Sequence, residues 1–139
     1  MKILILNGVN LGLLGTREVD IYGHTNFVSY FQELQNRYTQ VQLAYCQCDG
    51  VGELVQKLHH AVEQKYDGII LNAGAYTHTS IVLADAVRAI PTKVIEVHIS
   101  NIWGREQYRK NSFLSGVCAG FIAGFGLKSY ELAILSFLN

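Results

Sequence analysis

The sequence predicts an α/β domain in which a five-stranded parallel sheet is covered by helices on both faces. Three observations lead there. Apolar runs of strand length alternate with longer segments whose apolar residues recur at helical spacing. The connections are short, so each pair of strands is joined by one right-handed crossover helix. Half of the 139 residues are hydrophobic, enough for one domain over 1–139 to build a core without disulfide or metal staples.

The elements follow in order. The first strand is Lys2 to Asn7, and a glycine-bearing loop runs on from Gly8 to Gly23. A helix from Asn26 to Thr39 places Phe27, Tyr30, Phe31 and Leu34 on one face. The second strand is Val41 to Gln47, and the helix after it carries Leu54, Leu58, Ala61 and Val62 as a stripe. Gly68 to Asn72 contains a pure Ile-Ile-Leu run, the pattern of a strand buried on both faces. A third helix, Ser80 to Ile90, is stopped by the only proline, Pro91. The fourth strand is Lys93 to Ile99, a loop with short helix follows, the fifth strand is Val117 to Ala123, and Leu127 to Leu138 closes as helix.

Composition narrows the function. Lys plus Arg and Asp plus Glu both count 11, so no basic excess exists to neutralise phosphates, and nucleic-acid binding is disfavoured. Charged residues are 16% of the chain against about 25% in typical domains, which points to surface covered by other copies in a homo-oligomer. Cys46, Cys48 and Cys118 are odd in number, and C-x-C is not the spacing of redox or zinc motifs. The N-terminus has no charged leader with a cleavage site, and no run of about 18 apolar residues reads as a membrane span. A cytoplasmic location is expected.

In parallel sheets the ligand sits beyond the carboxyl ends of the strands, so those ends carry the argument. The first strand exits into Asn7-Gly8-Val9-Asn10-Leu11-Gly12, which matches neither phosphate-cradling glycine motif. Asn10 reads equally as a turn residue or as a ligand group. The connection holding Arg17 and Tyr22 exceeds the usual length of about 2–6 residues and reads as a lid, although a solvated arginine and an anchoring tyrosine also fit. The third strand delivers Asn72 and His78, with Thr79 or Ser80 as helix cap. The fourth strand is the most informative. Period two puts Glu96, His98 and Ser100 on one face, where an unpaired carboxylate would be costly, so Glu96 is expected to orient and charge His98 as an acid–base group, although a purely structural pair also fits. Arg105 and Arg109 follow as anion or hydroxyl ligands or as surface charge. The histidines lack metal-ligand spacing.

Together these residues resemble type II 3-dehydroquinate dehydratase. The resemblance runs in order through Asn7-Gly8-x-Asn10-Leu11-Gly12-x-Leu14-Gly15, Arg17-Glu18, Ile21-Tyr22-Gly23, Asn72-Ala73-Gly74-x-x-Thr77-His78-Thr79-Ser80, Ile95-Glu96-Val97-His98-Ile99-Ser100-Asn101 and Arg105-Glu106-x-x-Arg109. It implies a flavodoxin-like fold, trimers assembled into a dodecamer, and a cofactor-free loss of water from 3-dehydroquinate by anti elimination through an enolate. It also implies roles. Tyr22 is the base, and Arg17 is the cation that lowers a phenol pKa from its ordinary value of about 10. Asn10 holds a water against the enolate oxygen, and His98, beside Glu96, protonates the departing hydroxyl. Asn72 with the amides of Ile99 and Ser100 holds the substrate carboxylate, His78 and Arg109 hold ring hydroxyls, and Asp85 reaches a neighbouring subunit's site. The chain departs from the family at Val9 and Val19, where proline is common, and at Val51, where glutamate is common. Two other readings weaken: a phospho-receiver needs carboxylates at the end of the first strand, and a flavodoxin needs the missing phosphate cradle. A relative that kept the assembly but lost the chemistry has no need of Asn10, Arg17, Tyr22 and His98 together.

Overall fold

A computed structural model describes residues 1–13 and 26–138. The expectations for Arg17, Val19 and Tyr22 lie outside the described residues. The strands are β1 (Lys2–Asn7), β2 (Gln42–Gln47), β3 (Gly68–Asn72), β4 (Lys93–His98) and β5 (Gly120–Ala123). The α-helices are α1 (Phe27–Arg37), α2 (Val51–Glu63), α3 (Ile81–Ala89) and α4 (Lys128–Leu138), with short 3-10 turns at Leu11–Leu13, Gly74–His78, Ile102–Gly104 and Gln107–Lys110. All neighbouring strands are parallel, in the order β2-β1-β3-β4-β5. This is the expected flavodoxin-like arrangement.

Alternation along the strands feeds two cores. Ile3, Ile5, Ile70, Ile95 and Val97 face one side, packed with Phe27 and Leu34 of α1 and Tyr130 and Ile134 of α4. Leu4, Leu6, Ile69, Leu71 and Val94 face the other, packed with Leu54 and Leu58 of α2 and Leu83 and Val87 of α3. Because the side-chain period of a strand is two, Glu96 and His98 belong to the α2–α3 side, the side of Val94.

Local signals set the helix ends. The Asn26 side chain accepts from the Ser29 amide at 2.9 Å and caps α1. Of the two candidates, Ser80 is the residue that caps α3, accepting from the Leu83 amide at 3.0 Å. Ile90 is extended, as the residue before a proline should be. Most limits differ from expectation by one or two residues, but β5 begins at Gly120 rather than Val117. The amides of Val117 and Cys118 both turn back to the Leu114 carbonyl, and only Ala119 reaches β4, donating to Val94 O at 2.7 Å.

The three cysteines are free thiols. Cys46 and Cys48 bring their sulfurs to 3.7 Å, and burial pushes the Cys48 thiol up to about 12, so it stays protonated as a small apolar group. Among the described residues, no helix is long and apolar enough to cross a membrane.

The chain passes from β1 outward to β2 and then back across to β3 on the other side of β1. That reversal opens a crevice beyond the carboxyl ends of β1 and β3, the usual place for a ligand in such sheets.

Candidate active site

Three amides are set at that reversal. Asn7 and Asn72 are register partners on β1 and β3, and both are buried. The hydroxyl of the fully buried Tyr130, reaching up from α4, donates to Asn7 Oδ1 and accepts from Asn72 Nδ2, each at 2.8 Å. Burial pushes the Tyr130 phenol far above its ordinary value, so this bridge is neutral. Asn72 Oδ1 also accepts from the Gly74 amide at 3.1 Å, which holds the chain in a turn where Gly74 adopts φ +61°. The second proton of the Asn72 amide is left for a ligand.

Gly8 is where the β1 loop meets the β3 loop. Its amide donates to Asn72 O at 2.7 Å, and a Cβ there would lie 2.6 Å from the Ala73 carbonyl oxygen, so only glycine fits. Gln47 Nε2 donates to the Gly8 carbonyl at 2.6 Å and fixes the loop from the β2 side. Two residues on, Asn10 takes φ +67°. Asparagine is among the few side-chain-bearing residues that adopt this left-handed backbone readily, and here it turns Asn10 toward the cleft.

β4 supplies the charged groups. His98 Nε2 lies 3.2 Å from Glu96 Oε2, with the two side chains 6% and 0% exposed. Burial alone would raise the Glu96 carboxyl. The bond and charge of His98, together with the hydroxyls of Ser112 and Ser115, outweigh burial and hold it below its ordinary range. A carboxylate oxygen only accepts, so Nε2 carries the proton and Nδ1 is the imidazole nitrogen left to exchange one with a ligand.

Val9, Asn10, Asn72, His78, His98, Ile99, Ser100, Arg105 and Arg109 all line one cleft that opens to solvent. His78 stacks near His98, ring centroids 6.2 Å apart, and its Nδ1 lies 2.7 Å from the Asn111 carbonyl oxygen. Burial, with the positive charges of His98 and Arg109 nearby, pushes the His78 ring below the usual imidazole value. It is therefore neutral with the proton on Nδ1, and Nε2 can accept from a hydroxyl. Glu106 braces both arginines, at 2.8 Å from Arg109 Nε and 3.8 Å from Arg105 Nε, and Arg105 donates to Ser100 Oγ at 3.4 Å.

The structure thus gathers Asn10, Asn72, His78, His98, Ile99, Ser100 and Arg109 around one cleft, with Glu96 behind His98. Asp85 stands apart on α3, exposed and 3.7 Å from Arg88. Sequence reasoning missed Ser112, Ser115 and Tyr130. The first two carry a weak signal, hydroxyls three residues apart between an arginine-rich loop and an apolar run. Tyr130 carries none, because it sits in a helical stripe like any core aromatic.

The cleft has amide donors, two arginines, a neutral imidazole and a proton-carrying imidazole backed by a carboxylate. Such a set of groups can hydrogen-bond hydroxyls, pair with an anion and exchange a proton. The family model described as Dehydroquinase class II matches residues 1–138. A 3-dehydroquinate dehydratase of an Exiguobacterium species is 51% identical over 135 residues, covering 96% of this chain and 92% of the relative. Another, from Caldicellulosiruptor saccharolyticus, is 45% identical over 135 residues, covering 96% of this chain and 93% of the relative. The crystal structure of a type II dehydroquinase from Butyrivibrio crossotus superposes with a TM-score of 0.95 at 40% identity, over 100% of this chain and 98% of that one. With agreement of that extent in both sequence and fold, the chain belongs to the class II dehydroquinase family.

Proposed function

We propose that this cleft removes water from 3-dehydroquinate to give 3-dehydroshikimate. The chain is a 3-dehydroquinate dehydratase, a carbon–oxygen lyase, as its family and relatives indicate, and in this reading it serves the shikimate pathway or quinate breakdown. The observation that carries the assignment of roles is the buried Glu96–His98 pair at the cleft wall. A departing hydroxyl needs a proton at the moment its carbon–oxygen bond breaks, and an imidazole held by an ionised carboxylate is oriented to give one. Elimination also needs a base for the proton beside the ketone and a stabilised enolate oxygen. Tyr22 is the base in this reading, with Arg17 favouring its phenolate, and Asn10 orients a water toward the enolate. The substrate carboxylate is held by Asn72 and the amides of Ile99 and Ser100. His78 Nε2 accepts from a ring hydroxyl, and Arg109 donates to another.

The working form in this reading is a homo-oligomer, a dodecamer of trimers in the cytoplasm, in which Asp85 approaches a neighbour's cleft. Ile81 and Val82 support it: both lie on the helix of Asp85 and are 60% and 63% exposed, as residues awaiting a partner surface would be. Sedimentation of the purified protein tests this, and a lone monomer at working concentration would refute the shared site.

The reaction itself is tested by the ultraviolet absorbance of the conjugated enone formed from 3-dehydroquinate. Wild type is expected to give a rise, and Tyr22→Phe to bind the substrate without one. A Tyr22→Phe protein that turned over normally would sink the base assignment. A folded wild type that bound substrate without a rise would mark a relative that has lost the chemistry.

A further inference from the structure

The segment 111–115, between the arginine loop and β5, touches both cleft histidines through different atoms. The Asn111 carbonyl oxygen takes the Nδ1 proton of His78 at 2.7 Å. Ser112 Oγ lies 2.9 and 3.2 Å from the two oxygens of the Glu96 carboxylate, and Ser115 Oγ lies 3.2 and 2.9 Å from the same pair. Thr77 Oγ1 approaches one of them at 3.4 Å. The segment is itself pinned to the His78 turn, Phe113 donating to Thr77 O at 2.9 Å.

Hydrogen-bond directions at Ser112 are settled by its other partners. Its Oγ accepts from the amides of Leu114 at 3.1 Å and Ser115 at 3.0 Å. A hydroxyl has two lone pairs and one proton, so with both lone pairs engaged the proton points at Glu96. Ser115 Oγ adds a second donor and His98 Nε2 a third. A protonated Glu96 would set its own O–H against one of these three donors, inside a site with 0% exposure.

We propose that Ser112 and Ser115 are positioning residues that hold Glu96 as a proton-free anion, and that the 111–115 segment thereby fixes the proton on both cleft histidines. Glu96 then takes no part as a proton carrier. It is a permanent charge, and of the two only His98 passes a proton to the departing hydroxyl. On the other side of the cleft, the Asn111 carbonyl keeps His78 an acceptor at Nε2, which selects a hydroxyl rather than an anion at that position. The inference rests on the reading of His98 as the acid of the dehydration. Other groups facing the pair are His78 and Thr77 from the 3-10 turn, Arg109 beyond His78, and Cys118, whose thiol feels the Glu96 charge from below.

Ser115→Ala is the decisive variant, since Ser112→Ala also strips two backbone amides. Difference infrared spectroscopy follows the protonated carboxyl band of Glu96, assigned by its absence in Glu96→Gln. In Ser115→Ala that band is expected to appear about one pH unit higher than in wild type, a tenfold rise in proton affinity, as loss of one hydrogen bond to a charged group implies. The acidic limb of the kcat profile should rise with it, and Ser115→Thr, which keeps the hydroxyl, should restore both. A Glu96 band and an acidic limb that stay in place, in a protein of unchanged fold, would overturn the proposal even if turnover fell evenly at all pH. The infrared reading needs no turnover, so absence of dehydratase activity in wild type would refute the reaction without touching this arm.

Discussion

Two buried polar networks lie side by side at the carboxyl end of the sheet, and they are built from opposite materials. At β1 and β3, two asparagines are bridged by the Tyr130 phenol, all neutral. At β4, a carboxylate and an imidazole are clamped by two serines. A neutral bridge satisfies buried groups without changing protonation, so it fixes where loops leave the sheet. A charged clamp stabilises one protonation state against another, so it fixes where a proton goes. The neutral network shapes the cleft, and the charged network works in it.

The comparison is broken most strongly at His98. His98→Gln can keep an N–H donor toward Glu96 but has no acidic group, and kcat should fall by about 10²–10⁴-fold, the usual contribution of a general acid. The thermal midpoint should move little. A His98→Gln enzyme of near-normal kcat would place the acid elsewhere. Tyr130→Phe should do the reverse. It leaves Asn7 and Asn72 without their bridging hydroxyl and costs about 1–3 kcal/mol of stability, seen as a lower denaturant midpoint, with the pH dependence of turnover unchanged.

The smallest effect is the response of stability to acid. The folded protein depresses both His78, from 6.5, and Glu96, from 4.5. A depressed group binds its proton more weakly when folded, so its contribution is present above the ordinary value and is lost as pH falls through the folded one. Denaturant midpoints are therefore expected to decline below pH 6.5 and again below 4.5. His78→Asn should flatten the first step and Glu96→Gln the second, while Tyr130→Phe should leave the shape of the curve intact.

The sequence revealed these two networks unequally. Glu96 and His98 were legible because the period of a strand puts neighbours two apart on one face, and an apolar strand leaves charged residues conspicuous. Asn72 and Asn10 stood out by their position at strand ends. Their partners did not. Ser112 and Ser115 meet Glu96 across 16 and 19 residues, and Tyr130 meets Asn72 and Asn7 across 58 and 123. Pairings over such separations are set by packing, which no local spacing encodes. The late start of β5 has the same origin. Ser112 captures the amides of Leu114 and Ser115, and the turn this creates takes up Val117 and Cys118, residues of good strand propensity.

Tyr130 has one more consequence, for the order in which the site can be made. The residues it joins, Asn7 and Asn72, emerge from the ribosome long before it does, and on folding they sit in a core that cannot hydrate them. A nascent chain that has produced all five strands but not yet α4 therefore holds its amide pair unbridged. The cleft closes its polar framework only once α4 has been made and docked. Purified chains truncated before residue 130 are expected to be loose at this end of the sheet, and chains that include α4 to be protease-resistant there.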